Sequence, residues 1–249
     1  MKIRQVGVYG LLRDAQGRYV TSAAGALPGG LVPQGEHPDQ AVVRLVGEQT
    51  GPGVRITGLL KVSSSVVDHV HTDRILYSLA VGSVTGTVSG IPPYPDEKPV
   101  EAVERRVQRF GAYAVARDPD GRVLLTKIAA GYPGAGLWHL PGGGTDHGET
   151  PEQGLTREFA EETSQHGRIT GLLGTAHRYT PAELGPEGVP MDWHVIRVLF
   201  TVAVDQPTVP VVTEQGGSTE AAAWFRPSGL SDLPLTEVAR EAVGNAALA

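Results

Sequence analysis

The chain has 249 residues, 40% of them apolar, which is length and core material for two domains of ordinary size. Lys and Arg total 21 against 27 Asp and Glu, a net charge of −6 with no basic run; this excludes a general binder of nucleic-acid polymers, though not of a small anion met through a metal ion. The absence of cysteine excludes disulfides, Cys-based zinc sites and thiol nucleophiles, and an opening apolar run cut short by Arg13 and Asp14 leads us to expect no membrane association and a cytoplasmic location.

In chain order, VGVYGLLRDAQGRYV (6–20) predicts a hairpin turning on Asp14 and Gly17, followed by a Gly-rich loop, one helix through RLVGEQT (44–50), and strands through RITGLL (55–60) and RILYSLAV (74–81). A Pro-rich, charged linker follows (89–110), with a short helix at its end. The series then recurs: a hairpin on RDPDGR (117–122), the loop PGGG (141–144), a helix over 151–163, and strands rich in Val, Ile, Leu and Phe. A tail from AAAWF (221–225) onward adds a strand, a loop and a C-terminal helix. Each series reads as a mixed α/β unit.

The recurrence is detailed enough to count. VGVYGLLRDAQGRYV lies over FGAYAVARDPDGRVL (110–124) at an offset of 104. Residues 28–50 lie over 141–163 at 113 with ten identities in twenty-three positions, RITGLL returns verbatim at 168–173, and RILYSLAV lies over RVLFTVAV (197–204) at 123. Four ordered matches predict a tandem repeat, with domains at 1–93 and 109–249 and a linker at 94–108. The growing offsets put insertions into the second copy around 127–139 and 178–193, Gly/Pro-rich stretches of the kind where substrate selection often resides.

The second copy's helix carries the chemistry. Thr150, Pro151 and Gln153 form a helix start with a capping box, and Leu155 and Phe159 an apolar stripe. Glu158, Glu161 and Glu162 then share one face, an arrangement that repels itself by roughly a few tenths of a kcal/mol per pair. Arg157 relieves part of this by pairing with Glu161 or with Glu149 from the loop. Clustered carboxylates on a rigid element suit Mg2+ or Mn2+, and a carbonyl from the Gly-rich loop can complete the coordination.

The span from Gly143 through Glu149, Arg157, Glu158, Phe159, Glu161 and Glu162 resembles the Nudix box, G-x5-E-x7-R-E-U-x-E-E-x-G-U. Ser164 stands where that family has glycine and Gln165 where it has an apolar residue. The resemblance implies tandem α/β/α sandwich domains with mixed sheets, and divalent-metal-dependent hydrolysis of a small-molecule nucleoside diphosphate linked to another group. It implies Glu158 as ligand or general base, Glu161 and Glu162 as metal ligands, the Gly143 loop beside them, and Arg157 with Glu149 as an orienting ion pair. A further carboxylate from a later loop, Glu220 or Glu214, is a candidate ligand, each being equally readable as an exposed loop acid.

The first copy keeps Gly30, Glu36, Arg44 and Glu48 but has Leu45 and Gln49 in place of two carboxylates, so it is expected to keep the fold without this hydrolysis. An intramolecular pseudo-dimer or a homodimer, a ligand-sensing role, or a structural remnant remain open for it, and a nucleotide-sensing regulator is the alternative for the whole chain. His69, His71, His177 and His194 show no metal-ligand spacing, and His139 and His147 read first as loop residues, although His147 is within reach of a phosphate. Trp138 and Trp224 read as packing residues, Tyr179 as a possible base-stacking surface, and Ser218 belongs to no nucleophile motif.

Overall fold

The structure, a computed structural model, describes residues 3–14, 16–81, 93–95, 106–184, 189–214 and 216–245. It divides into two compact units, Met1–Phe110 with Thr175–Ile196, and Gly111–Gly174 with Arg197–Ala249.

The first unit holds β1 (Ile3–Leu11), β2 (Gly29–Leu31), α1 (Pro38–Thr50), β3 (Arg55–Val67) and β4 (Val70–Ala80), with strand order β2-β1-β4-β3. β1 runs parallel to β4 and antiparallel to β2, and β3 is antiparallel to β4, so the sheet is mixed. The central strands β1 and β4 are buried along most of their length, which explains why they read as apolar runs rather than alternations. The expected turn at Asp14–Gly17 forms, its carboxylate accepting the N–H of Gln16 and of Arg18. Beyond it the chain is paired by an isolated bridge, Arg13 to Tyr19, and by the Val20 N–H donating to the Leu12 carbonyl at 3.1 Å. α1 starts at His37, whose ring accepts the Asp39 N–H, and buries Ala41, Val42 and Val46.

The second unit takes its elements from β5 (Arg106–Arg117), β6 (Val123–Ile128), β7 (Trp138–His139), β8 (Gly142–Gly144), α2 (Pro151–Thr163), β9 (Arg168–Leu184), β10 (Pro190–Ala203), β11 (Thr219–Phe225), a 3-10 turn (Pro227–Asp232) and α3 (Glu237–Asn245). The helix expected at the end of the linker lies outside the described residues up to 105, and from Arg106 onward the chain is strand. The sheet order is β11-β6-β5-β10-β9, with β7 added to β6 and β8 to β5. The ends of β5, β9 and β10 belong to the first unit by their contacts.

Val115, Leu125 and Leu199 pack with Leu235, Ala239 and Val243 of the α3 region. Phe159 of α2 meets the opposite face near Val202, where a Cβ on Gly167 would lie 2.4 Å from Val202 and 3.2 Å from the Phe159 ring. Leu199 and Val202 point to opposite sides of β10, so the sheet is sandwiched between α2 and α3. Among the described residues no helix is long and apolar enough to cross a membrane, which says nothing of membrane β-barrels.

Candidate active site

α2 begins where its sequence says it should. Gln153 donates its N–H to the Thr150 hydroxyl at 3.2 Å and accepts the Thr150 N–H on its own side chain at 2.9 Å, while Pro151 needs no donor in the first turn. Leu155 and Phe159 are buried as the stripe. The helix ends on Ser164, left-handed at φ 53° in the position that the Nudix pattern gives to glycine, with its hydroxyl donating to the Val211 carbonyl at 2.8 Å. Gln165, in the apolar position, is buried with its amide satisfied by the Thr163 carbonyl, the Thr208 hydroxyl and the Thr208 N–H.

On the face between these ends, Arg157 is the hub. Its Nε and Nη2 bind the two oxygens of Glu149 at 2.8 and 3.0 Å, and its Nη1 donates to Glu158 at 2.8 Å and Glu161 at 3.2 Å. Nη2 also reaches the Gly144 carbonyl at 3.1 Å, tying the helix to β8. These bonds, Glu149's foremost, hold the guanidinium protonated well above its ordinary range.

The Gly-rich strand β8 brings its backbone against these carboxylates. Gly142 has φ 128°, and a Cβ there would stand 2.3 Å from the Ala112 carbonyl, so only glycine fits. Its N–H donates to Glu162 at 2.8 Å. A Cβ on Gly143 would lie 2.6 Å from the Glu158 carboxyl carbon, which puts this carboxylate directly over the loop.

Glu162 is 3% exposed, and its other oxygen accepts the Thr219 hydroxyl at 2.5 Å. Burial pushes its pKa up to about 7, with repulsion from Glu158 and Glu214 adding to the rise and the bonds from Thr219 and Gly142 opposing it. Burial likewise raises Glu158, against the Arg157 bond and with help from Glu161 and Glu214. Among the described residues no three carboxylate or imidazole side chains converge on one point at metal-ligand distance. Of the two later acids, Glu220 is engaged by Lys127 at 2.7 Å, whereas the Glu214 charge acts on both Glu158 and Glu162.

The first unit holds an arginine–carboxylate cluster of its own on α1. Arg44 binds Glu36 at 2.9 and 2.6 Å and Glu48 at 3.0 Å, as Arg157 binds Glu149 and Glu161. Leu45 lies beside Gly30, and Gln49 bonds Gly29.

Thr219 carried no signal in the sequence, since nothing in STEAAAWF marks it and it is 57 residues from its partner. Trp138 packs edge-on against Phe225, and Trp224 donates to the Thr208 carbonyl. His139 bonds Thr236 at 2.6 Å, and burial lowers its pKa to about 3. His147 is half-buried in the loop between β8 and α2, His69 is exposed at the β3–β4 turn, and His71 is buried beside Asp73. Ser218 receives the Ala129 N–H on its carbonyl, and Tyr179 is 41% exposed. His177 and His194, far apart in sequence from His37, form a ring cluster with it in the first unit.

A glycine strand laid against an arginine-centred acidic helix, in a helix-sheet-helix sandwich, defines the class. The family model of the NUDIX domain matches residues 107–244, and the chain belongs to that family. It is 34% identical over 108 residues to the ADP-ribose pyrophosphatase of Methanocaldococcus jannaschii, covering 41% of this chain and 59% of that protein. It is 31% identical over 98 residues to the 8-oxo-dGTP diphosphatase of Escherichia coli K12, covering 33% and 76%. The structure of the NUDIX domain of Shewanella oneidensis NrtR complexed with ADP ribose is similar at 22% identity, with a TM-score of 0.45 over 57% of this chain and 88% of that one. The chain spans 59%, 43% and 47% of the length of the first three curated relatives it matches.

Proposed function

We propose that the protein is a divalent-metal-dependent hydrolase of the diphosphate linkage in a nucleoside diphosphate derivative, acting through residues 109–249. The observation that carries this reading is the single guanidinium of Arg157 gathering Glu149, Glu158 and Glu161, with Glu162 buried on the same helix. The donor set suits Mg2+ or Mn2+. Glu158, Glu161 and Glu162 are hard oxygen donors, and burial, with a smaller contribution from neighbouring carboxylates, makes the charged forms of Glu158 and Glu162 costly, a cost that a bound cation would offset. The Gly143 carbonyl and a later acid, Glu214 or Glu220, are the further candidate donors.

Bound there, such an ion supplies acidified water and neutralises phosphate oxygens. The chain supplies the rest. Glu158 serves as ligand or as the base that accepts the attacking water's proton, Arg157 and Glu149 fix the helix carboxylates, and the side-chain-free Gly142–Gly144 strand lets a diphosphate approach the backbone. The names of the relatives point to ADP-ribose or a modified nucleoside triphosphate.

We further propose that residues 1–93 are a second copy of the domain that does not hydrolyse, joined through 94–108. The retained Arg44–Glu36–Glu48 bonds beside Leu45 and Gln49 support this. Hydrolysis of ADP-ribose and of a nucleoside triphosphate, with Mg2+, Mn2+ or chelator, tests the main reading on wild type and Glu162→Gln. Turnover should need the metal and fall about a hundredfold or more in the variant. Metal-independent turnover, or an unchanged variant, overturns it.

A further inference from the structure

A buried carboxylate that must present a lone pair to a cation needs its remaining hydrogen-bonding capacity fixed, because a free carboxylate rotates and a 1 Å error is costly. Glu162 is fixed at both oxygens. The Gly142 N–H holds one at 2.8 Å and the Thr219 hydroxyl holds the other at 2.5 Å.

The first unit shows why a second donor is required. Gln49, at the matching position, uses Gly29 alone: its oxygen accepts the Gly29 N–H at 3.2 Å and its nitrogen donates to the Gly29 carbonyl at 2.8 Å. An amide donates and accepts, so one glycine satisfies it. A carboxylate only accepts, and Gly142 has one N–H to give. The second donor must come from elsewhere, and it comes from β11.

The backbone there is shaped for this purpose. Thr219 pairs with Ile128 and Ala221 with Lys127, a register shift that puts an extra residue into β11, and such bulges re-aim side chains. The Ala129 N–H bond to the Ser218 carbonyl at 2.8 Å anchors the chain immediately before it. Thr219 is 8% exposed, so water does not readily replace its hydroxyl.

We propose that Thr219 is a positioning residue that orients the Glu162 carboxylate toward the divalent cation. This rests on the reading of the α2 carboxylates as a metal site. Gly142 holds one oxygen and Thr219 the other, so the two bonds together fix the rotation of the carboxylate and leave each oxygen with unused acceptor capacity.

The test measures Mn2+ binding by calorimetry on the full chain, with thermal stability alongside, for wild type, Thr219→Val, Thr219→Ser and Thr219→Ala. With ADP-ribose as the probe substrate, kcat and KM are read on the same proteins. Thr219→Val and Thr219→Ala should bind Mn2+ about tenfold more weakly and lose kcat with KM little changed, while Thr219→Ser stays close to wild type. If Thr219→Val does not fold, Thr219→Ala and Thr219→Ser carry the comparison. Folded Thr219→Ala or Thr219→Val with wild-type affinity overturns the inference, and so does a Thr219→Ser protein as impaired as the others, since the methyl group would then be what matters. Wild type that binds no Mn2+ overturns instead the metal reading beneath it.

Discussion

Gln49 grips Gly29 through both atoms of its amide, oxygen to N–H at 3.2 Å and nitrogen to carbonyl at 2.8 Å. The glutamate at the matching place in the second unit can make only the first of these bonds. One atom thus separates a side chain that closes on the scaffold from one that keeps charge and lone pairs for a ligand.

The double substitution Leu45→Glu and Gln49→Glu should therefore create Mn2+ affinity in the first unit, read by calorimetry in a Glu162→Gln background. Its cost is the Gly29 bond, about 1 kcal/mol by urea unfolding. No gain in affinity in a folded protein would count against the two halves sharing one design.

Arg157 bonds three carboxylates and holds one of them with two parallel bonds. Arg157→Ala is expected to lower kcat/KM on ADP-ribose by about a hundredfold, and Arg157→Lys to recover little of it, because an ammonium cannot reproduce the fork. Full recovery by lysine would reduce the role of Arg157 to its charge.

Gly143→Ala separates packing from site geometry. The new Cβ would overlap the end of Glu158, a flexible side chain that can swing aside. Thermal stability should change little while Mn2+ affinity falls about tenfold, a cost typical of disturbing a metal site's surroundings. A large loss of stability without loss of affinity would show that Glu158 is not where metal binds.

His194 predicts a pH dependence. Its Nδ1 accepts the Gly35 N–H at 3.1 Å, which puts its proton on Nε2, directed at Nδ1 of His177 3.2 Å away. A second proton has to go on Nδ1 and break the Gly35 bond. Burial, with the charges of His177 and His37 and against Asp192, lowers the pKa to about 4. The unfolded chain takes up this proton first as pH falls through about 6.5, so the stability His194 contributes is intact above that pH and lost on the way to 4. By pH 5 the loss should reach about 2 kcal/mol, read as the difference in urea unfolding between wild type and His194→Gln. Identical pH slopes for the two proteins would exclude His194 as the source.

Much of α2 was legible because its determinants are local. The capping box joins Thr150 to Gln153, the apolar stripe joins Leu155 to Phe159, and the carboxylates lie within one turn of each other, all spacings fixed by the helical repeat. Ser164 and Gln165 depart from the Nudix pattern, yet the first adopts the left-handed turn and the second is buried with its amide bonded, and both outcomes depend on Val211, Thr208 and their neighbours. The linker helix was not similarly determined. Arg106–Gln108 are strand, because pairing within a sheet outweighs the weak helix preference of a short charged run.

The sequence by itself determined the helix, its acidic face and the glycines before it, since each is written in near neighbours, whereas Gly142–Gly144, which read as a loop, became a strand by pairing with β5. Only the tertiary structure decided that Thr219 meets Glu162, that Lys127 takes Glu220, that His37 gathers with His177 and His194, and that Thr175–Ile196 belongs with the first unit. These pairings depend on strand register, a bulge and the packing of distant segments. No local spacing encodes them, because the free energy that selects them comes from burying whole elements together.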